Sequence, residues 1–341
     1  MIPFFVLDRP ASLEILLGFF LDHPKLNFGV MTHANVSKRF VDLFREYPYT
    51  IPVKYYDRTV SKKDLNNIKN NLTRISDSGA FQKNSVVHPY DQLFQKYVDL
   101  KVDYGIINDV LSDYKKTVKS AEEAINYYDE LKFKQKFNLM GVAQGTTTEE
   151  YCKCYEELLD MGYEHIAIGG LLKRSGESNY YKINSETRMK NIVTSIKEKY
   201  GPEKLFTLGI YNPGRHEMLE ELDIWGADYK GWLFHYDEFY FTSKELLKKS
   251  GRYNRTIARA YNNFMKCKSN FIENKSQENR EIFSKSKKSL DESLNSIGTS
   301  LQEFRYREVR NTLEKKIASK MTCEGVEKPI FDVESTVLES L

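Results

Sequence analysis

Residues 74–82, Arg74-Ile75-Ser76-Asp77-Ser78-Gly79-Ala80-Phe81-Gln82, form a short apolar lead-in that stops abruptly at an acid, a hydroxyl, a glycine and an aromatic. A strand ending this way delivers a carboxylate to a loop. Gly79 lets the backbone approach a flat ligand or take positive φ, and Phe81 offers a face on which a base or sugar can stack. Three more stretches end in polar or glycine residues where a β-rich run gives out: Asp103-Tyr104-Gly105-Ile106-Ile107-Asn108-Asp109, Gly141-Val142-Ala143-Gln144-Gly145 and Ala167-Ile168-Gly169-Gly170-Leu171. Each alone has a plain structural alternative: Asp77 and Asp109 as caps, Gln144-Gly145 as a turn, Gly169-Gly170 as a tight strand exit. Their recurrence at successive strand ends points to a site.

The elements that must position these residues alternate β-rich runs with helical stretches, the pattern of a parallel sheet with crossover helices. Candidate strands cover residues 4–7, 28–32, 51–56, 72–76, 104–107, 137–143, 165–168, 205–210 and 231–235; candidate helices cover 37–47, 88–100, 118–133, 148–161, 185–199 and 214–225. Thr148 before Glu149-Glu150 and Ser185 before Glu186 supply N-cap chemistry. The expected fold is α/β, a (β/α)8 TIM barrel, whose C-terminal strand ends converge on one mouth. An open doubly wound sheet would also gather strand ends at one edge, but neither a G-x-G-x-x-G after the first strand nor a P-loop is present.

After Tyr240 the β-rich runs cease. The expected division is a barrel domain over 1–240, a basic helical extension over 241–328 and a frayed tail over 329–341. Residues 241–328 carry an excess of about nine positive charges within a chain of net charge +3. The acid-free run from Arg252 to Lys268 contains Arg252, Arg255, Arg259, Lys266 and Lys268 interleaved with Tyr253, Tyr261 and Phe264. A solvated helix face is one reading. The other is contact with a polyanion, since a groove that tracks a nucleic acid needs cations and stacking faces together.

At 341 residues, with 29% charged and 40% hydrophobic residues, the chain has the composition of a globular protein with a large core. No apolar run approaches the roughly 20 residues of a spanning helix, so no membrane partner is expected. Residues 1–7 meet Asp8 and Arg9 at once and read as a first strand, not a signal peptide; the expected location is the cytoplasm. Cys152, Cys154, Cys267 and Cys323 are too scattered for a disulfide framework. Cys152 and Cys154 lie two apart in a helical pattern with no second pair nearby, so no metal is expected.

In order and spacing, the four strand-end motifs resemble those of the tRNA-guanine transglycosylase superfamily over roughly residues 70–235. That family is a TIM barrel that exchanges a guanine in a polynucleotide for a 7-deazaguanine base, with no cofactor expected. Breaking the C1′–N9 bond passes through an oxocarbenium-like state that a carboxylate can trap, while a second acid handles the proton on the purine. Guanine's N1–H and 2-amino group call for a carboxylate, and its O6 for an N–H donor. By resemblance, Asp77 takes the general acid/base position, Ser78, Gly79 and Phe81 line the pocket with Phe81 stacking on the purine, and Asp109, Gln144, Gly169, Gly170 and Leu171 recognise the base.

The sequence departs from the family twice. The family's nucleophile is the second acid of a D-x-x-D pair after a Gly-Pro segment. Here Leu208-Gly209-Ile210-Tyr211-Asn212-Pro213 matches the segment, but Gly231 stands in the second acid's place. Asp228 is the candidate nucleophile, with Asp223 behind it. The family's C-x-C-x-x-C zinc motif does not occur after residue 235, where the basic helical part follows instead. These features, with a similarity over Phe28 to Asn35, favour the DpdA-like branch that acts on phage or bacterial DNA, in the host cytoplasm if phage-encoded. The expected partners are DNA, with tRNA as the alternative, and a 7-deazaguanine (preQ0-type) base; a non-catalytic nucleic-acid-binding paralogue is the third reading. His33 has two readings, a place near the mouth or simply the end of a strand, of which the second is preferred. Whether the chain forms a homodimer is left open.

Overall fold

The computed structural model describes residues 1–52, 59–79, 86–130, 133, 136–171, 184–233 and 254–321. Eight parallel strands close into a barrel in sequence order: β1 (Ile2–Val6), β2 (Gly29–His33), β3 (Thr73–Asp77), β4 (Tyr104–Ile106), β5 (Asn138–Ala143), β6 (His165–Ile168), β7 (Phe206–Thr207) and β8 (Gly226–Tyr229). Closure comes from β8 pairing with β1, in a register that sets Phe4 beside Asp228.

Alternation along the strands sorts side chains between two environments. Phe4 meets Phe206 edge-on at 5.1 Å and Trp225 at 5.3 Å, and Trp225 meets Tyr104 at 5.7 Å. Contacts among residues of opposite strands can form only inside the barrel. Gly29 and Gly226 make room for the Phe4 ring, which a Cβ at either position would approach to 2.2 or 2.6 Å. Phe5, one residue on, faces outward and packs on Phe19, Phe20 and Phe28.

Around the barrel lie α1 (Pro10–Asp22), α2 (Lys38–Arg45), α3 (Lys62–Asn71), α4 (Tyr90–Leu100), α5 (Tyr114–Glu130), α6 (Thr148–Asp160), α7 (Asn184–Tyr200) and α8 (His216–Glu221). Ser37 caps α2, and Ser61 with Asp64 forms a capping box on α3. The cap of α6 is Thr147, whose hydroxyl accepts from the Glu150 N–H, and not Thr148, which is the first helical residue.

Three expectations about elements change. Ile51 lies in a bend before Pro52, so no strand starts there, and residues 53–58 of that candidate lie outside the described residues. The eighth strand is Gly226–Tyr229, while Gly231–Leu233 is a 3-10 turn. Helices α1 and α3 have no counterpart among the expected elements.

The C-terminal part divides differently from the boundary at 240/241. Helices α9 (Asn254–Glu273) and α10 (Gln277–Asn295) form a hairpin with its own small core of Ile257, Tyr261, Phe264, Leu290, Leu294 and Leu301. Helix α11 (Leu301–Leu313) runs on through a π turn to Met321 and packs into the barrel's core with Tyr306, Val309, Leu313 and Ile317. The Tyr306 hydroxyl donates to Glu14 on α1 at 2.5 Å, and Lys320 pairs with Glu217 on α8 at 2.8 Å. A Cβ at Gly18 would meet the Arg310 guanidinium at 2.6 Å, so that glycine lets α11 lie close on α1. Thus α11 is the barrel's closing helix, and the hairpin is inserted before it. The tail over 329–341 lies outside the described residues.

Candidate active site

The inward face of the strands carries the site. Registered neighbours share a side of the sheet, so Gly29, Met31 and His33 on β2 face the same way as Phe4 on β1, and Thr73, Ile75 and Asp77 on β3 join them. On β8, Gly226 and Asp228 do the same. Asp77 and Asp228 therefore enter the mouth from β3 and β8, separated around the ring by β1 and β2.

Three carboxylates sit there together. Asp109 and Asp228 are only 6% and 9% exposed. Burial pushes Asp109 up to about 7, reinforced by the Asp77 charge and opposed by a hydrogen bond from Gln144. Burial pushes Asp228 up to about 6; the Gly209 N–H, which donates to its carboxylate, opposes the shift, and the Asp77 charge adds to it. Asp77 is itself raised by burial, against the N–H groups of Gly79 and Ser78 and the charge of Lys230. Both other acids feel Asp77, which makes it the shared member of the group. Desolvated acids held close together keep protons to higher pH than isolated ones, a condition that suits proton transfer.

The amide of Gln144 donates to Asp109 Oδ2 at 2.5 Å and accepts from the Ser112 N–H at 3.3 Å. Gly169 and Gly170 leave it space: a Cβ at either would come within 2.5 Å of the amide, and Gly170 has φ +62°. The Tyr151 hydroxyl fixes the turn by donating to the Gly169 carbonyl at 2.8 Å, and Arg188 donates to the Leu171 carbonyl at 3.1 Å. Leu171 is fully buried. Gly79, at φ +79°, is tied to Asn35, whose amide N–H groups donate to Gly79 O at 3.5 Å and Val86 O at 3.1 Å and whose Oδ1 accepts from His88 Nε2 at 2.6 Å.

Of the residues singled out from the sequence, Asp77, Ser78, Gly79, Asp109, Gln144, Gly169, Gly170, Leu171 and Asp228 belong to strand ends at this one mouth. Phe81 lies outside the described residues. Asp223 is excluded as a second acid: it precedes β8, is 91% exposed and pairs with Lys197. Among the cationic residues, Arg259 and Lys266 are exposed on α9 and Lys268 is half-buried, whereas Arg252 and the side chain of Arg255 lie outside the described residues. Tyr261 and Phe264 are buried in the hairpin core and are not available for stacking; Tyr253 lies outside the described residues. The supporting roles of Asn35, His88, Ser112, Tyr151 and Arg188 escaped the sequence, which carries no local signal for them. His33 ends β2, as preferred, and also faces inward at the mouth in register with Asp77, the other reading weighed for it.

No family model and no curated protein sequence matches the chain. Solved structures do resemble it. One described as a probable tagatose 6 phosphate kinase from Sinorhizobium meliloti 1021 is 9% identical with a TM-score of 0.55, over 93% of this chain and 99% of that one. The YdjI aldolase from Escherichia coli K12 is 10% identical with a TM-score of 0.41, over 89% and 93%. KGPDC from Streptococcus mutans is 9% identical with a TM-score of 0.38, over 67% and 86%. At such identities the likeness shows the barrel fold alone.

Proposed function

We propose that the chain is a transglycosylase that exchanges guanine in DNA for a preQ0-type 7-deazaguanine base through a covalent glycosyl-enzyme intermediate. The observation that carries this reading is Asp228, a buried acid facing the same mouth as Asp77 and coupled to it by charge. It supplies a second carboxylate although Gly231 stands in the family's nucleophile position.

In the first half-reaction the Asp228 carboxylate attacks C1′ as the C1′–N9 bond breaks, and the Asp77 carboxyl gives its proton to the departing purine. In the second, the incoming base returns its N9 proton to Asp77, N9 bonds to C1′, and the Asp228 ester bond breaks. The proton and the electron pair both close the cycle. Ionised Asp109 accepts from the N1–H and 2-amino group of the base, and the Gln144 amide donates toward O6. No step calls for a cofactor or metal.

The test is release of labelled guanine from DNA and from tRNA, side by side, upon addition of a 7-deazaguanine. Exchange on DNA that is lost in Asp77→Asn, with a covalent DNA adduct lost in Asp228→Asn, is the expected result. Exchange on tRNA alone would move the substrate to RNA. Polynucleotide binding with no exchange on either would sink the enzyme reading and leave a binding protein.

A further inference from the structure

Asn35 lies just past the end of β2 and touches the chain after β3 at two places. Its amide nitrogen donates to Gly79 O at 3.5 Å and to Val86 O at 3.1 Å. Gly79 and Val86 flank residues 80–85, so one side chain ties both stems of the connection that leaves Asp77. With two carbonyls on the nitrogen, the amide oxygen is left for a donor, and His88 Nε2 meets it at 2.6 Å. The amide cannot be turned over, since its oxygen would then face two carbonyls, and the His88 ring must carry a proton on Nε2. His88 is anchored in turn through its own carbonyl, which accepts from Asn108 Nδ2 beyond β4 at 3.0 Å.

Gly79 converts this tie into a hold on Asp77. Its N–H, together with that of Ser78, donates to the Asp77 carboxylate and opposes the upward push of burial. A glycine at φ +79° can turn through a range closed to other residues, so nothing in Gly79 itself keeps that N–H aimed. The Asn35 amide does. It grips the Gly79 carbonyl and lies so close that a Cβ at Gly79 would come within 2.8 Å of its nitrogen. The main chain of Asp77 is fixed separately, by the Ala34 N–H, which donates to its carbonyl at 2.9 Å. The carboxylate and the backbone of Asp77 are thus set by two neighbouring residues at the end of β2.

We propose that Asn35 is a positioning residue for Asp77, which keeps the Gly79 N–H on the Asp77 carboxylate by gripping the Gly79 carbonyl. Asn35 touches no reacting atom in this role and acts only through the turn. The task of Asp77 in base exchange rests on the proposed function; the hold on its carboxylate does not. The other charged or titratable groups that face Asp77 are Asp109 beyond β4, Asp228 and Lys230 at β8, His33 in register on β2 and Tyr97 on α4. Replacing Asn35 removes none of them, so a change at Asp77 in such a variant reports on its N–H donors.

The experiment follows the full chain by NMR through a pH titration. It reads the Asp77 carboxyl ¹³C signal, identified by its loss in Asp77→Asn, and the amide signals of Ser78 and Gly79. In the native chain both amides are expected to shift with the Asp77 titration. In Asn35→Leu the Gly79 amide should lose most of that shift while Ser78 keeps it, and the Asp77 midpoint should rise because its ionised form has lost a donor. A Gly79 amide that still follows Asp77, or an Asp77 midpoint that stays put or falls, overturns the proposal. Loss of both amide shifts in a folded variant also overturns it, since a merely structural role would disturb Ser78 and Gly79 alike. His88→Ala frees the Asn35 amide to turn and leaves Asn35 and Gly79 themselves unchanged, so it should move both readouts in the same direction; it decides the matter should Asn35→Leu not fold. Absence of base exchange in the native protein would sink the proposed function and leave these readouts as they are.

Discussion

Gln144 and Asp109 are joined side chain to side chain, amide to carboxylate, at the ends of neighbouring strands and with almost no exposure. The pair is complete before any ligand arrives, so a base meets a carboxylate and an amide whose orientations are already fixed. Preorganisation of this kind lowers the cost of binding. It also couples the protonation of one residue to the integrity of the other.

That coupling predicts a pH shift. Under the proposed function Asp109 accepts from guanine only when ionised, so base binding should rise with pH through a limb near 7. Gln144→Leu removes the hydrogen bond that holds Asp109 down and should move the limb upward. Asp77→Asn removes a charge that pushes it up and should move it downward. Base affinity measured by calorimetry from pH 5 to 9 checks both directions; a limb that stays put in both variants refutes the coupling.

Stability should respond to the same group with a defined sign. Asp109 titrates at about 7 and Asp228 at about 6 in the folded chain, against about 4 for an unfolded aspartate. Between these values the native state keeps protons that the unfolded state has released. Their contribution is fully present below pH ~4 and is lost as the pH rises through the folded values. Asp109→Asn should therefore melt higher than the native protein at pH 8, and the difference should shrink by pH 5. A lower melting temperature at pH 8 would contradict the burial argument.

Gly170→Ala isolates the role of the turn. The new Cβ would press on the Gln144 amide at 2.5 Å in a backbone with φ +62°. The backbone strain costs roughly 1–2 kcal/mol, while displacement of Gln144 should abolish base binding. Denaturant unfolding together with binding separates the two; intact affinity would show that Gln144 does not read the ligand.

Under the proposed function, the hairpin's charges are expected to act on polynucleotide binding and not on chemistry. Reversing Arg259 and Lys266, exposed on α9, should lower DNA affinity and reduce the slope of log affinity against log salt by about 0.9 for each phosphate no longer neutralised. Reversing Lys119, exposed on α5, serves as the control. Equal effects from the two faces would leave only nonspecific attraction.

The barrel and most of its mouth were legible because the candidate residues of β3 to β6 end or follow strands whose own letters are β-rich, as with Ile75-Ser76 before Asp77 and Val142-Ala143 before Gln144. Strand β8 was not: Gly226-Ala227-Asp228-Tyr229 has little strand propensity, and pairing with β1 and β7 makes it a strand. Helix α1 was hidden for the opposite reason. Its run from Leu13 to Leu21 is buried nearly all round, between the barrel and α11, and so lacks the one-sided periodicity that marks a surface helix. Tyr261 and Phe264 read as stacking faces because sequence spacing does not tell a helix's inner side from its outer one until its partner is known.

The position of α11 bears on how the molecule is made. The ring that β1 and α1 begin is finished only by Tyr306, Val309, Leu313 and Ile317. During synthesis the apolar flank of α1 therefore waits uncovered until residues 301–317 have left the ribosome, a period in which exposed apolar surface invites aggregation. A chain cut after Ser300 would remain in that state permanently. Losing four buried side chains, each worth about 2–5 kcal/mol in a well-packed core, is a loss on the scale of a typical domain's whole margin of about 5–15 kcal/mol, so the truncated protein should be insoluble. A variant in which residues 254–296 are replaced by a short Gly-Ser linker should fold and melt cooperatively. Comparing soluble yield and thermal unfolding of the two checks which end of the chain the barrel depends on.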